Sequence, residues 1–177
     1  MKDNTSEMIL RSAEDLFAEQ GAYGTSLGDI AKSVGISKGT LYYYYPTKQD
    51  VVDAVTDRCL TSIGDRLFAW VDTVKPGEPE EALDALCEAL LGERTLLRVF
   101  VSVNNLVEPD SELEARLDRA MNEWNVMIEV GSMRMQSDVA AKMKRLLAAV
   151  LPFLCGLAAL NADLDYAKAA FRALILG

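Results

Sequence analysis

The chain has no histidine, only three cysteines, no excess of basic residues and no apolar run long enough to span a bilayer. Without histidine it lacks the commonest general base and the commonest zinc ligand. Cys59, Cys87 and Cys155 are odd in number and far apart. That spacing suits neither a disulfide framework nor a metal site and points to small buried groups in a reducing cytoplasm. No glycine-rich phosphate loop follows a strand, and no paired carboxylates or cysteine dyad stand where catalysis would use them, so neither an enzyme nor a cofactor is expected. The N-terminus lacks the basic and then apolar pattern of a secretion signal. The longest uncharged stretch, Leu146 to Ala162, falls short of the roughly 20 residues of a membrane helix. Pro152 and Asn161 interrupt or end it, so it is read as a buried core or interface helix.

Half of the 177 residues are apolar, enough for a real interior. The net charge of −9 runs against the broad basic surface that usually marks a nucleic-acid binder. A few well-placed phosphate contacts are nevertheless compatible with an acidic remainder, so the placement of lysines decides more than their total.

Helical periodicity dominates, and no strand-like alternation competes with it. Ile9, Ala13, Leu16 and Phe17 form one stripe, with Glu7, Arg11, Glu14, Asp15 and Glu19 on the solvated face. Asn4 with Glu7 has the form of a capping box, and Gly21 closes this first helix. Ser26 with Asp29 makes a second box before Leu27, Ile30, Ala31 and Val34; Gly35 ends that short helix, and Ser37 caps a third beginning at Lys38. So short a turn sets two helices at a steep angle, as a helix-turn-helix requires. The core of the unit is expected from Leu27, Ile30, Ala31, Val34, Ile36, Leu41 and Tyr45. Pro46 stops the third helix, and Thr47 with Asp50 opens a long fourth one to about Val74. Lys75 to Pro79 is the clearest loop. Further helices are predicted near Pro79 to Leu91, Thr95 to Val107, Ser111 to Val130, Asp138 to Asn161 and Asp165 to Leu176, with Gly131-Ser132 as a boundary and Pro152 as a kink.

The third helix carries the chemistry of duplex recognition. A helix entering the major groove needs a bare first turn, which Gly39 beside Ser37 and Thr40 supplies. Lys38 can donate to guanine O6 or N7, and the Thr40 methyl can meet a thymine methyl, so Lys38, Gly39 and Thr40 are the candidate base readers. Tyr42, Tyr43 and Tyr44 occupy successive 100° steps and cannot all be core, so at least one hydroxyl faces solvent or phosphate. Lys48 joins its charge to the free N–H groups at the start of the fourth helix, a phosphate clamp. Thr25, Ser26 and Ser37 offer hydroxyls and amides for further phosphates.

From Gly21 to Val55 the stretch GAYGTSLGDIAKSVGISKGTLYYYYPTKQDVVDAV resembles the DNA-binding domain of the TetR family of regulators. The resemblance rests on ordered features: the glycine-rich turn, Ser26, Asp29-Ile30-Ala31, Val34-Gly35-Ile36-Ser37, Lys38-Gly39-Thr40-Leu41-Tyr42, and Pro46 followed by Lys48. It implies that Tyr42 and Tyr43 contact the DNA backbone and that Tyr45 packs inside. Gly28 departs from the family pattern, which often has a longer polar residue there to reach a base.

The same resemblance implies an all-α fold of about nine helices: a helix-turn-helix domain over residues 1–47, and a helical dimerisation and ligand-binding domain over 48–177. Leu146 to Leu160 and Tyr166 to Leu176 are apolar on more than one face, as two faces meeting a core and a partner copy would be. Phe68, Phe100, Asn104, Trp124 and Met127 are the candidates to line an effector cavity among helices four to seven. The expected protein is a cytoplasmic homodimeric repressor, released from a near-palindromic operator by a small apolar effector of unknown identity, with no membrane partner. The alternative is a helical protein-interaction module, or a regulator that answers a protein partner.

Overall fold

The computed structural model describes residues 2–135 and 137–177. Among them the chain forms α1 (Lys2–Gln20), α2 (Leu27–Val34), α3 (Lys38–Tyr44), α4 (Lys48–Thr73), α5 (Pro79–Leu91), α6 (Arg94–Asn104), α7 (Glu112–Met133), α8 (Ser137–Ala159) and α9 (Leu164–Leu176). No strand occurs among the described residues, and no helix there is long and apolar enough to cross a membrane. The all-α expectation holds, and α5 begins and ends where its periodicity placed it.

Two of the three capping boxes form as the sequence spells them. At α2 the Ser26 hydroxyl accepts from the Asp29 N–H while the Asp29 carboxylate accepts from the Ser26 N–H; Thr47 and Asp50 do the same at α4. The third does not form, because α1 already begins at Lys2 and leaves Asn4 and Glu7 inside the helix. Glu7 instead pairs with Arg11 and with Arg58 of α4. Gly21 and Gly35 close α1 and α2 at φ +84° and +76°, where a side chain would be strained.

The boundary expected at Gly131-Ser132 falls in the last turn of α7, which ends at Met133, and the glycine has a second use there. A Cβ on Gly131 would stand 2.3 Å from the Trp70 ring, so the glycine is there to let α4 and α7 approach closely. The Trp70 indole donates to the Ala82 carbonyl at 2.8 Å and ties α5 to the same spot. Pro152 sits within α8, which continues past it.

The 26 residues of α4 span about 39 Å at roughly 1.5 Å per residue. Its buried side serves two ends of the molecule. Val51, Val52 and Val55 complete a small core with Ile9, Phe17, Ile30, Ala31 and Leu41, and Cys59, Ile63, Leu67 and Trp70 continue it into the bundle of α5 to α9. Leu27, Val34, Ile36 and Tyr45, expected in the core of the N-terminal unit, pack against it half-buried. All three cysteines are buried and unbridged. Burial pushes the thiols of Cys59 and Cys87 up to about 12, and that of Cys155 to about 11.

Candidate nucleic-acid interface

The turn between α2 and α3 is built from local hydrogen bonds. Gly35 donates back to the Ala31 and Lys32 carbonyls, Ile36 donates to the Ala31 carbonyl at 3.0 Å, and Ser37 caps α3 by accepting from the Thr40 N–H at 3.0 Å. Only Leu41 of α3 is fully buried, so one leucine seats the helix and the remaining surface stays available. Lys38, Gly39, Thr40, Tyr42 and Tyr43 are all exposed. Tyr43 meets Tyr44 edge-on at 5.3 Å, and the Tyr45 hydroxyl shares a hydrogen bond with Ser6 at 2.9 Å, which anchors α3 to α1.

Sequence spacing alone does not show how the lysines lie. Lys38 folds back across Gly28: a Cβ there would stand 3.1 Å from its Cε and 3.3 Å from its Nζ. The missing side chain on α2 therefore leaves room for a lysine from α3. Lys48 donates from Nζ to the Tyr23 carbonyl at 2.9 Å and lies 6.0 Å from the centre of the Tyr23 ring. Together Tyr23, Ser26, Gly28, Lys38, Tyr42 and Lys48 line an open hollow of about 370 Å³. It gathers two ammonium groups beside the N-terminal ends of α2 and α4, whose free amides add positive potential.

The nearby acids are engaged elsewhere. Asp29 and Asp50 are held in their capping boxes. The Ser26 hydroxyl and amide, donating to Asp29, hold its carboxyl below the usual range, with smaller help from Lys32 and Lys38. Glu7 and Glu14 of α1 are bridged by Arg58.

Thr25 is 1% exposed; its hydroxyl donates to the Gly21 carbonyl at 2.8 Å and accepts from Gln20, so that group braces the turn, while the residue itself borders the hollow. Tyr23, 88% exposed at the edge of the hollow, was not singled out from the sequence. A large aromatic in a glycine-flanked turn was the signal that could have found it.

The hollow is fastened to the bundle behind it. The Ala22 N–H, buried in the same turn, donates to the Ser102 hydroxyl of α6 at 2.6 Å. The five residues expected around one effector cavity fall into two hollows. Phe68, Trp124 and Met127 line an open groove between α4 and α7, of about 420 Å³. Phe100 and Asn104 line a second hollow of about 300 Å³ with Leu117, Met121, Leu151 and Cys155. The Phe100 and Trp124 rings, 5.3 Å apart, form the wall between them. α8 and α9 expose Gly156, Tyr166 and Leu174, Leu160 stands exposed just after α8, and the exposed Pro152 also borders the second hollow.

Residues 9–55 match the family described as bacterial regulatory proteins, tetR family. The negative transcriptional regulator IcaR of the biofilm operon icaADBC of Staphylococcus aureus (strain Newman) is 30% identical over 113 residues, 61% of this chain and 56% of that protein. The transcriptional regulator AcrR of Shigella flexneri is 33% identical over 79 residues, 45% of this chain and 36% of that protein. The chain thus spans about half the length, or less, of these curated relatives. Among solved structures, a regulator from Saccharomonospora viridis in complex with choline superposes with a TM-score of 0.76 at 20% identity, covering 98% of this chain and 96% of that one. A regulator from Aquifex aeolicus VF5 gives 0.69 at 22% identity, covering 96% of both. At these identities the likeness is one of fold.

Proposed function

We propose that this chain, a member of the tetR family of bacterial regulatory proteins, is a transcription regulator that binds double-stranded operator DNA through α2 and α3. The observation that carries the reading is the hollow at the start of α2 and α4, where Lys38 and Lys48 meet Ser26 and Tyr42 beside an α3 that is exposed apart from Leu41 and the flanking Tyr44. Residues 1–47 act as the reader and 48–177 as the body. Lys38, Gly39 and Thr40 face the bases; Ser26, Ser37, Tyr42, Tyr43 and Lys48 hold the phosphates. Lys48 is already oriented by the Tyr23 carbonyl, and Thr40 by Ser37.

The exposed apolar faces of α8 and α9 support a homodimer, which would set two recognition helices about 34 Å apart on a near-palindromic site. Two linked half-sites compensate for a reader with few cations. Repression in the cytoplasm with release by a small effector is the mode we favour. IcaR is named a negative regulator, and a neighbour of the same fold was solved in complex with choline, which supports this reading. In this chain the Ala22–Ser102 bond joins the reader directly to the bundle, so an effector that prefers a shifted α6 would lower DNA affinity by that preference.

The test is a salt series of binding to the DNA upstream of the protein's own gene, with Lys48→Ala and Thr40→Ala alongside. Lys48→Ala is expected to weaken binding to all sequences and to lower the salt slope by about 1, whereas Thr40→Ala mainly reduces preference for the operator. Equal, salt-independent losses from both variants would contradict these roles, and a monomer in solution would contradict the two-half-site arrangement.

A further inference from the structure

The open groove between α4 and α7 carries its own recognition chemistry. Gly64 leaves the α4 backbone bare at mid-helix, and across from it stands the indole of Trp124, 2% exposed. The Trp124 Nε1 donates to no group among the described residues, and a Cβ on Gly64 would lie 3.5 Å from it. Trp70, by contrast, spends its N–H on a carbonyl. Almost wholly buried as a residue, Trp124 lines a groove of about 420 Å³, within the size range, roughly 300–1,000 Å³, of small-molecule sites, and its N–H remains open to an acceptor there.

The charges on the walls are not equivalent. Arg116 is held by Asp53 and Asp57, and Arg119 by Glu112, so both cations at that end already have carboxylate partners. Asp65 on α4 and Glu123 on α7 are exposed and form no ion pair among the described residues. Between them Phe68 stands 65% exposed, with half-buried Leu60 and Met127 beside it. An aromatic face next to uncompensated carboxylates attracts an organic cation, and the solitary indole N–H asks for an acceptor on the same molecule.

We propose that the α4/α7 groove binds a small organic amine with an apolar body and a hydroxyl or carbonyl group. Asp65 and Glu123 take the ammonium, Phe68 and Met127 the apolar body, and Trp124 donates to the oxygen. This site is separate from the hollow at Phe100 and Asn104, and none of its residues lies on α8 or α9. It rests on the reading of the chain as a ligand-responsive regulator only for its consequence: a ligand bridging α4 and α7 would bear on the helix that begins with Lys48.

Titration calorimetry of the full-length, DNA-free protein separates the site from the DNA reading. The probes are 2-amino-1-phenylethanol, 2-phenylethylamine, which lacks the hydroxyl, and phenylacetate, which reverses the charge. The amino alcohol is expected to bind tightest, the plain amine several-fold weaker, and phenylacetate not at all. Asp65→Asn with Glu123→Gln should cost roughly tenfold or more for both amines. Trp124→Phe should abolish the preference for the hydroxyl. Gly64→Ala removes a helix-interior glycine and places a methyl before the indole, so it should block the amino alcohol while leaving the fold at least as stable. Phenylacetate binding as tightly as the amines, no heat from either amine at millimolar concentration, or unchanged affinity in Gly64→Ala would each overturn the proposal. Intact operator binding alongside any of these would leave the regulator reading standing.

Discussion

The reader and the bundle behind it are both built from helices, yet they are stabilised at different ranges along the chain. In α2 and α3 the structure is written locally: Ser26 with Asp29, Gly35 and Ser37 each act on residues within four or five positions. A few buried side chains suffice to seat the unit, and the outward face is left to lysine, threonine and tyrosine. In the bundle, α4 and α7 are fixed by a tryptophan lying on a glycine 61 positions away in the sequence, and α4 is tied to α5 by the same indole. A surface left open, as the proposed duplex-reading face is, is thus well specified by short-range caps, which cost no exposed face, whereas a body is specified by close contact between distant helices.

Gly131→Ala is the sharpest way to break this comparison. Its Cβ would fall within 2.3 Å of the Trp70 ring, so α4 and α7 must separate or the ring must turn, at a cost on the order of 1–3 kcal/mol. Urea unfolding followed by circular dichroism measures it, and a variant as stable as the parent would mean the two helices are not so close.

In the reader the corresponding change is Ser26→Ala, which deletes the cap of α2 and should cost roughly 1 kcal/mol. Hydrogen exchange should show faster opening of α2 amides with the bundle unaffected. A uniform loss across both regions would show that the reader's stability is not local.

Tyr45→Phe tests a side-chain hydrogen bond that links the end of α3 to α1. It removes the bond to Ser6 while keeping the ring, for an expected loss of about 0.5–1.5 kcal/mol by thermal unfolding.

The smallest effect is one of pH. Asp29 is held below its ordinary value of 3.8, chiefly by the Ser26 hydroxyl and amide. A carboxyl depressed in the folded state stabilises fully above its unfolded value and loses that contribution as pH falls through its folded value. Asp29→Asn should therefore be less stable than the parent at neutral pH, and the gap should close as the pH is lowered below about 4. A gap that widens on acidification would reverse the sign of the argument.

Much of the reader was legible because its signals are neighbours in sequence. Gly21, Ser26, Gly35, Ser37, Thr47 and Asp50 sit where helix ends need a positive φ or a side-chain acceptor, and the structure uses them so. Asn4 and Glu7 show the limit of such signals, since a helix that starts two residues earlier turns a cap into an ordinary face. Gly131-Ser132 marks the last turn of α7, but that Gly131 also admits a tryptophan does not show in one dimension. Thr25 carries a hydroxyl suited to a phosphate, but only the packing of the turn shows that the group is buried and bonded to Gly21.

The sequence by itself determined that the chain is helical, where the short helices α2 and α3 start and stop, and which residues form the exposed α3, because periodicity and capping act over one or two turns. The tertiary structure alone decided that Lys38 lies over Gly28, that Lys48 is steadied by Tyr23, that Ala22 is bonded to Ser102, and that Phe68, Trp124 and Met127 line a different hollow from Phe100 and Asn104. Those outcomes depend on which helix faces meet across the fold, and no spacing along the chain encodes that distance.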